Sequence, residues 1–232
     1  SSNNVSFTHL INSSDNPLEF VGTLYDGAGN RLGSESQSLH TGTIAPQGRL
    51  ILSSDELEVL FGIDPWSGPA VMEVRSSSDF RIMTRLTSPS GLISNTNCVT
   101  TTQVDNVVGF DSSDVTYIRF INTGDEAINN ITGTLHDESG NIIGDADSVL
   151  VEALAPRSQV WRSRDALSTA VGDTWNGTAT LKISASPATL KLLNLNYIND
   201  ETFFNFSCYE SATSQAESSS ALVPTPAPRY GY

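Results

Sequence analysis

Gly22-Thr23-Leu24-Tyr25-Asp26 returns further along the chain as Gly133-Thr134-Leu135-His136-Asp137, and this echo decides the fold. The match continues in order down both copies. Gly29-Asn30 and Gly33 answer to Gly140-Asn141 and Gly144, and Ala45-Pro46 to Ala155-Pro156. Ser53, Asp55, Leu57 and Gly62 answer to Ser163, Asp165, Leu167 and Gly172. Trp66-Ser67-Gly68 answers to Trp175-Asn176-Gly177, then Asn95 and Cys98 to Asn205 and Cys208. The offset stays between 109 and 111. An ordered series at near-constant spacing marks an internal duplication. Repeat 1 is placed at residues 1–100, a linker strand at 101–114, repeat 2 at 115–210 and a Ser/Pro-rich extended tail at 211–232.

Each repeat reads as all-β. Val5 to Ile11 and Leu18 to Tyr25 have strand composition, and Asp26-Gly27-Ala28-Gly29-Asn30 turns the chain into a strand from Arg31 towards Leu39. Asp137 to Asn141 sits at the same place in repeat 2, with glycine where a positive φ is needed. After Ala-Pro come short strands at Arg49 to Leu52 and Gln159 to Arg162. Ser53 and Glu56 form a capping box opening two helical turns that end at Gly62. Repeat 2 lacks that glutamate, so its helix is expected to be marginal. Strands at 70–75, 81–87 and 92–99 close repeat 1. About seven short strands in roughly 95 residues predict two tandem homologous antiparallel β-sandwich domains, each with one short helix.

Arg119-Phe120-Ile121-Asn122-Thr123, Gly133-Thr134-Leu135-His136-Asp137 and Gly140-Asn141 resemble the Ig-like or fibronectin-type β-sandwich repeats of secreted bacterial surface proteins. The resemblance spans both repeats and not the tail. It implies an extracellular structural or binding role and carries no catalytic residue across.

Composition narrows the function classes. The 232 residues carry a net charge of −14, with 38% hydrophobic side chains and two lysines, Lys182 and Lys191. Phosphate neutralisation needs clustered Lys and Arg, so nucleic acid is excluded as a general partner. An acidic membrane surface repels the chain, and no apolar run approaches the roughly 18 residues of a membrane span. The start at Ser1 without Met is read as a removed signal peptide, hence a secreted, cell-surface location. The charge is spread as −5 over 1–100, −3 over 101–115 and −6 over 116–210.

Catalytic patterns are not evident. His9, His40 and His136 have no second ligand at metal spacing, and His136 aligns with Tyr25 as a strand side chain. The chain contains no Gly-x-Ser-x-Gly elbow, Walker loop or His-Glu-x-x-His. The oxygen-rich stretch from Asp137 to Asp147 fails the spacing of an EF-hand and reads as turn chemistry. No enzyme activity, cofactor or metal is expected. Sequons begin at Asn4, Asn12, Asn130, Asn176 and Asn205, no more than composition yields. Cys98 and Cys208 hold equivalent positions, so neither pairs within its own repeat. A Cys98–Cys208 bridge, bonds to neighbouring chains and free thiols all remain open.

Function is expected where the copies diverge. Ser94, Thr96 and Thr87 become Phe204, Phe206 and Tyr197, and strand alternation lines Phe204 and Phe206 up with Cys208 as a contact stripe. The tail segment Val223-Pro224-Thr225-Pro226-Ala227-Pro228-Arg229, followed by Tyr230 and Tyr232, has donors on one edge only, as an arm pairing with a sheet edge would. Trp66 and Trp175 read as core plugs, whereas Trp161 lacks an aromatic counterpart. The leading expectation is a non-enzymatic structural subunit of an extracellular bacterial fibre, sheath or surface layer, with copies of itself as partners. The alternative is an adhesin or carbohydrate-binding module using Trp161, Tyr197 and Phe206 on glycans or other surface proteins.

Overall fold

A computed structural model describes residues 5–87, 91, 93–95, 103–198 and 202–208. It is dominated by antiparallel strands, with two short helices. The tail residues from Val223 to Tyr232 and Cys98 lie outside the described residues, and so does the Cys98–Cys208 pairing. Among the described residues no helix is long and apolar enough to cross a membrane.

In repeat 1 the elements run β1 (Val5–Asn12), β2 (Val21–Asp26), β3 (Arg31–Ser38), β4 (Arg49–Ser53), α1 (Ser54–Phe61), β5 (Ala70–Arg75), β6 (Phe80–Thr87) and β7 (Ile93–Asn95). After β8 (Gln103–Val108), repeat 2 follows the same order. Its elements are β9 (Val115–Asn122), β10 (Ile128–His136), β11 (Ile142–Leu154), β12 (Gln159–Ser163), α2 (Arg164–Val171), β13 (Thr178–Ile183), β14 (Leu190–Ile198) and β15 (Thr202–Asn205). The sheet β4-β1-β6-β7 is matched strand for strand by β12-β9-β14-β15, and β3-β2-β5 by β11-β10-β13, to which β8 adds a fourth strand.

Period-two alternation builds a separate core in each repeat. Leu10, Leu18, Phe20, Leu24, Leu52 and Phe61 anchor one, and Ile118, Phe120, Leu135, Leu181, Leu190 and Leu192 anchor the other. Both copies bury the same polar clamp. Asn12 Nδ2 donates to the carbonyls of Asn16, Ile44 and Ala45 at 2.7, 3.0 and 3.1 Å. Asn122 Nδ2 donates to those of Glu126, Leu154 and Ala155 at 2.7, 3.2 and 2.9 Å. The asparagines thereby tie the end of β1 to Ile44-Ala45 and the end of β9 to Leu154-Ala155.

The helices also match, against expectation. Ser53 Oγ accepts the Glu56 amide at 3.2 Å while Glu56 accepts the Ser53 amide at 2.7 Å, completing the capping box on α1. Although Glu56 becomes Ala166, α2 is as long as α1. Ser163 still caps it through the Ala166 amide, and Leu167 and Val171 are fully buried beneath it. Burial of an apolar stripe outweighs one lost cap hydrogen bond. Gly33 and Gly144 recur because a Cβ there would meet the last-turn carbonyls of Phe61 at 2.3 Å and Val171 at 2.1 Å.

The 101–114 linker carries the expected strand. β8 pairs antiparallel with β13, with Val104 opposite Leu181 and Val107 opposite Ala179. The strand expected to carry Phe204, Phe206 and Cys208 in alternation stops at Asn205. Asn205 Oδ1 accepts the Ser207 amide at 2.9 Å, and Phe206–Cys208 turns into a 3-10 helix, so the alternating stripe does not extend to Cys208.

Candidate functional site

The sheet β12-β9-β14-β15 has an apolar inner face, and its outer face is apolar as well. Residues alternating with the core-facing Ile118, Phe120 and Leu192 are Tyr117, Arg119, Ile121, Leu193, Leu195 and Tyr197. Register places Trp161, Arg119 and Leu193 in one row across three strands, and Tyr117 beside Leu195. The Arg119 guanidinium lies 4.3 Å from the Trp161 ring centroid, and Tyr117 makes edge contacts with Trp161 at 6.4 Å and Tyr197 at 6.1 Å. Leu193 and Leu195 are buried, and Leu86 of β6 packs onto them from repeat 1.

Burial lowers the Arg119 pKa to about 10, which still leaves it charged at neutral pH. Among the described residues its Nε has no hydrogen-bond partner. Cation–π attraction to the indole offsets part of that desolvation. Burial also raises the Tyr197 phenol, with a smaller contribution from Tyr117. The counterparts in repeat 1 are Phe7 for Tyr117, His9 for Arg119 and Ile51 for Trp161, judged by register. There Arg85 of β6 sits 4.7 Å over Phe7. Burial, then Arg85 and Arg49, lower the His9 pKa.

Further contacts join the repeats. Gln159 N donates to Gly27 O at 2.9 Å, Arg157 lies 3.5 Å from Glu73 of β5, and β7 lies against β15. The chemistry on offer is that of a contact face, aromatic and aliphatic with one buried cation.

No protein-family model matches the chain, and no curated protein or solved structure matches it.

Of the residues singled out in the sequence, Trp161 and Tyr197 share this face and both are half-buried. Phe206 sits apart from it in the 3-10 turn, 5.9 Å from the Phe204 ring, and Phe204 is 47% exposed. Trp175 is the core plug expected of it, whereas Trp66 is only half-buried. Arg119, Tyr117, Leu193 and Leu195 were not singled out. Their signal was the occurrence of apolar side chains at both odd and even positions of Val115–Asn122 and Leu190–Ile198, the pattern of a strand covered on both faces.

The acidic turns are structural. Asp137 Oδ1 accepts the Ser139 and Asn141 amides at 2.9 and 2.8 Å, and Asp26 Oδ1 accepts those of Ala28 and Asn30, both at 2.9 Å. Among the described residues no group of three or more His, Cys, Asp or Glu is placed to hold a metal ion. The Asn12 sequon is sterically closed in the fold, since its Nδ2 is fully buried and bound to three carbonyls.

Proposed function

We propose that this chain is a non-enzymatic structural subunit of an extracellular bacterial assembly, a fibre, sheath or surface layer. Its two repeats are proposed to form tandem β-sandwich domains, 1–100 and 115–210, of the Ig-like or fibronectin-type kind found in secreted surface proteins. The partners are copies of itself, engaged through sheet edges and the tail 211–232.

The seam between the repeats carries this reading. Leu86 against Leu193 and Leu195, Gln159 against Gly27, and Arg157 against Glu73 tie two units of one chain at separate points. A load-bearing module, unlike a pair of domains on a flexible tether, needs such a fixed relation between its parts. The glycan-binding alternative is weaker at Trp161, because Arg119 occupies a face of the indole that a sugar ring would stack on.

The juxtaposition of β7 and β15 supports the Cys98–Cys208 bridge over the other two thiol states, since each strand ends three residues before its cysteine. Mass mapping of a non-reduced digest is expected to recover the two cysteine peptides joined. Concentration of the full chain, followed by electron microscopy and sedimentation, tests the assembly. Ordered polymers are expected, and a monomer at every concentration would sink the proposal.

A further inference from the structure

The two copies differ most at one sheet edge. The sheet β11-β10-β13-β8 has four strands, and its counterpart β3-β2-β5 has three. The extra strand β8 is contributed by the segment that follows repeat 1, beginning at Gln103 after β7 ends at Asn95. It closes the core of repeat 2. Val104 and Val107 are buried, Trp175 Nε1 donates to Val107 O at 3.0 Å, and Asn194 and Asn196 donate to the Asp105 and Asn106 carbonyls. Ala179, Leu181 and Ile183 of β13 are at most 4% exposed, and Leu192 is 0% exposed.

Repeat 1 lacks that closure among the described residues. The counterparts of Ala179, Leu181 and Ile183 are Ala70, Met72 and Val74, all half-buried, as is Trp66. Ile82 stands where Leu192 stands and is 38% exposed. β5 is an end strand beside this apolar opening, a template for a further strand.

We infer that the β5 edge receives the tail of a second copy, with Leu222-Val223 in the place that Val107-Val108 take on β13. The inference rests on the assembly reading above and names its joint. In this chain the segment after one repeat completes the next. Applied once more, the segment after repeat 2 completes repeat 1 of the following molecule. Its apolar pair lies fourteen residues past Cys208, where Val107 lies nine past Cys98, so the connection is longer and suits a crossing between molecules. Prolines at 224, 226 and 228 strip donors from one side of an extended strand and leave those of Val223, Thr225 and Ala227 on the other. In that register the residues up to Val223 lie along β5, and the prolines fall just past its start at Ala70, where they keep the pairing from running on.

Hydrogen exchange of the full chain over a dilution series, with sedimentation in parallel, tests this. Amides of Ala70–Arg75 and of the tail around Leu222 are expected to slow together, by more than about tenfold, as assemblies form. Leu222→Glu on the donor side and Ile82→Glu on the acceptor side are each expected to abolish that protection. Assemblies whose β5 amides still exchange freely would overturn this joint while leaving the assembly reading intact. Protection that persists at full dilution would overturn it in favour of the chain's own tail, and no association at any concentration overturns both.

Discussion

Asn122 repeats the hydrogen bonding of Asn12, one amide nitrogen holding three backbone carbonyls in each repeat. Both side chains are fully buried. Removing either deletes three donated bonds to buried or half-buried carbonyls and leaves a cavity, which costs more than the net worth of one hydrogen bond. Asn122→Ala and Asn12→Ala are each expected to lower stability by about 2 kcal/mol or more, read from urea unfolding. A loss below about 0.5 kcal/mol would show that water replaces the amide.

Val107 couples the linker to the core of repeat 2. Its side chain is fully buried and its carbonyl accepts the Trp175 indole proton. Val107→Ala is expected to cost roughly 2 kcal/mol through the cavity it leaves. Trp175→Phe keeps most of the packing and is expected to cost about 1 kcal/mol. Chemical denaturation followed by tryptophan fluorescence checks the first, and circular dichroism the second.

Acid is expected to weaken the fold. Hydrogen bonds from the Ser53 amide and hydroxyl hold Glu56 below the ordinary carboxylate range. Asp137 is lowered by the Asn141 side chain and by turn amides, and Asp26 by the equivalent bonds despite opposing burial. A carboxylate with a depressed folded pKa contributes stability above its unfolded pKa and loses it as pH falls through the folded value. Melting temperature is therefore expected to be flat above about pH 5 and to fall below about pH 4. Glu56→Gln is expected to flatten part of that fall. An unchanged profile would exclude the capping box as its source.

Gly29 and Gly140 occupy matching turns with φ of 88° and 84°. Alanine strains both backbones alike, by about 1 kcal/mol. Only at Gly29 would the new Cβ also strike another repeat, 2.2 Å from Pro156 O, whereas nothing lies within 4 Å at Gly140. Gly29→Ala is thus expected to destabilise more than Gly140→Ala and to raise the protease susceptibility of the linker. Equal effects would show that the turn withdraws from the seam without cost.

Much of the fold was legible because its determinants are local. Asp26 to Asn30 and Asp137 to Asn141 announce their turns, Ser53 and Gly62 bracket a helix, and the duplicated spacing fixes the order of elements. The contact face was less legible. Arg119 reads as an exposed strand residue until Trp161, forty-two residues on, is seen to lie across it. Phe206 misled for a related reason: the side-chain bond from Asn205 that ends the strand is invisible to a period-two pattern.

Because β8 pairs across the chain from Val104 to Leu181, its docking waits on synthesis of about 75 further residues. Of the four strands in its sheet, β8 is thus synthesised first and paired only when the last, β13, has been made. Pairings of such sequence separation fold slowly, since loop-closure entropy is met before the contacts form. Until that closure the nascent chain displays Val104, Val107 and Val108 to its surroundings, an apolar surface of the kind that chaperones cover.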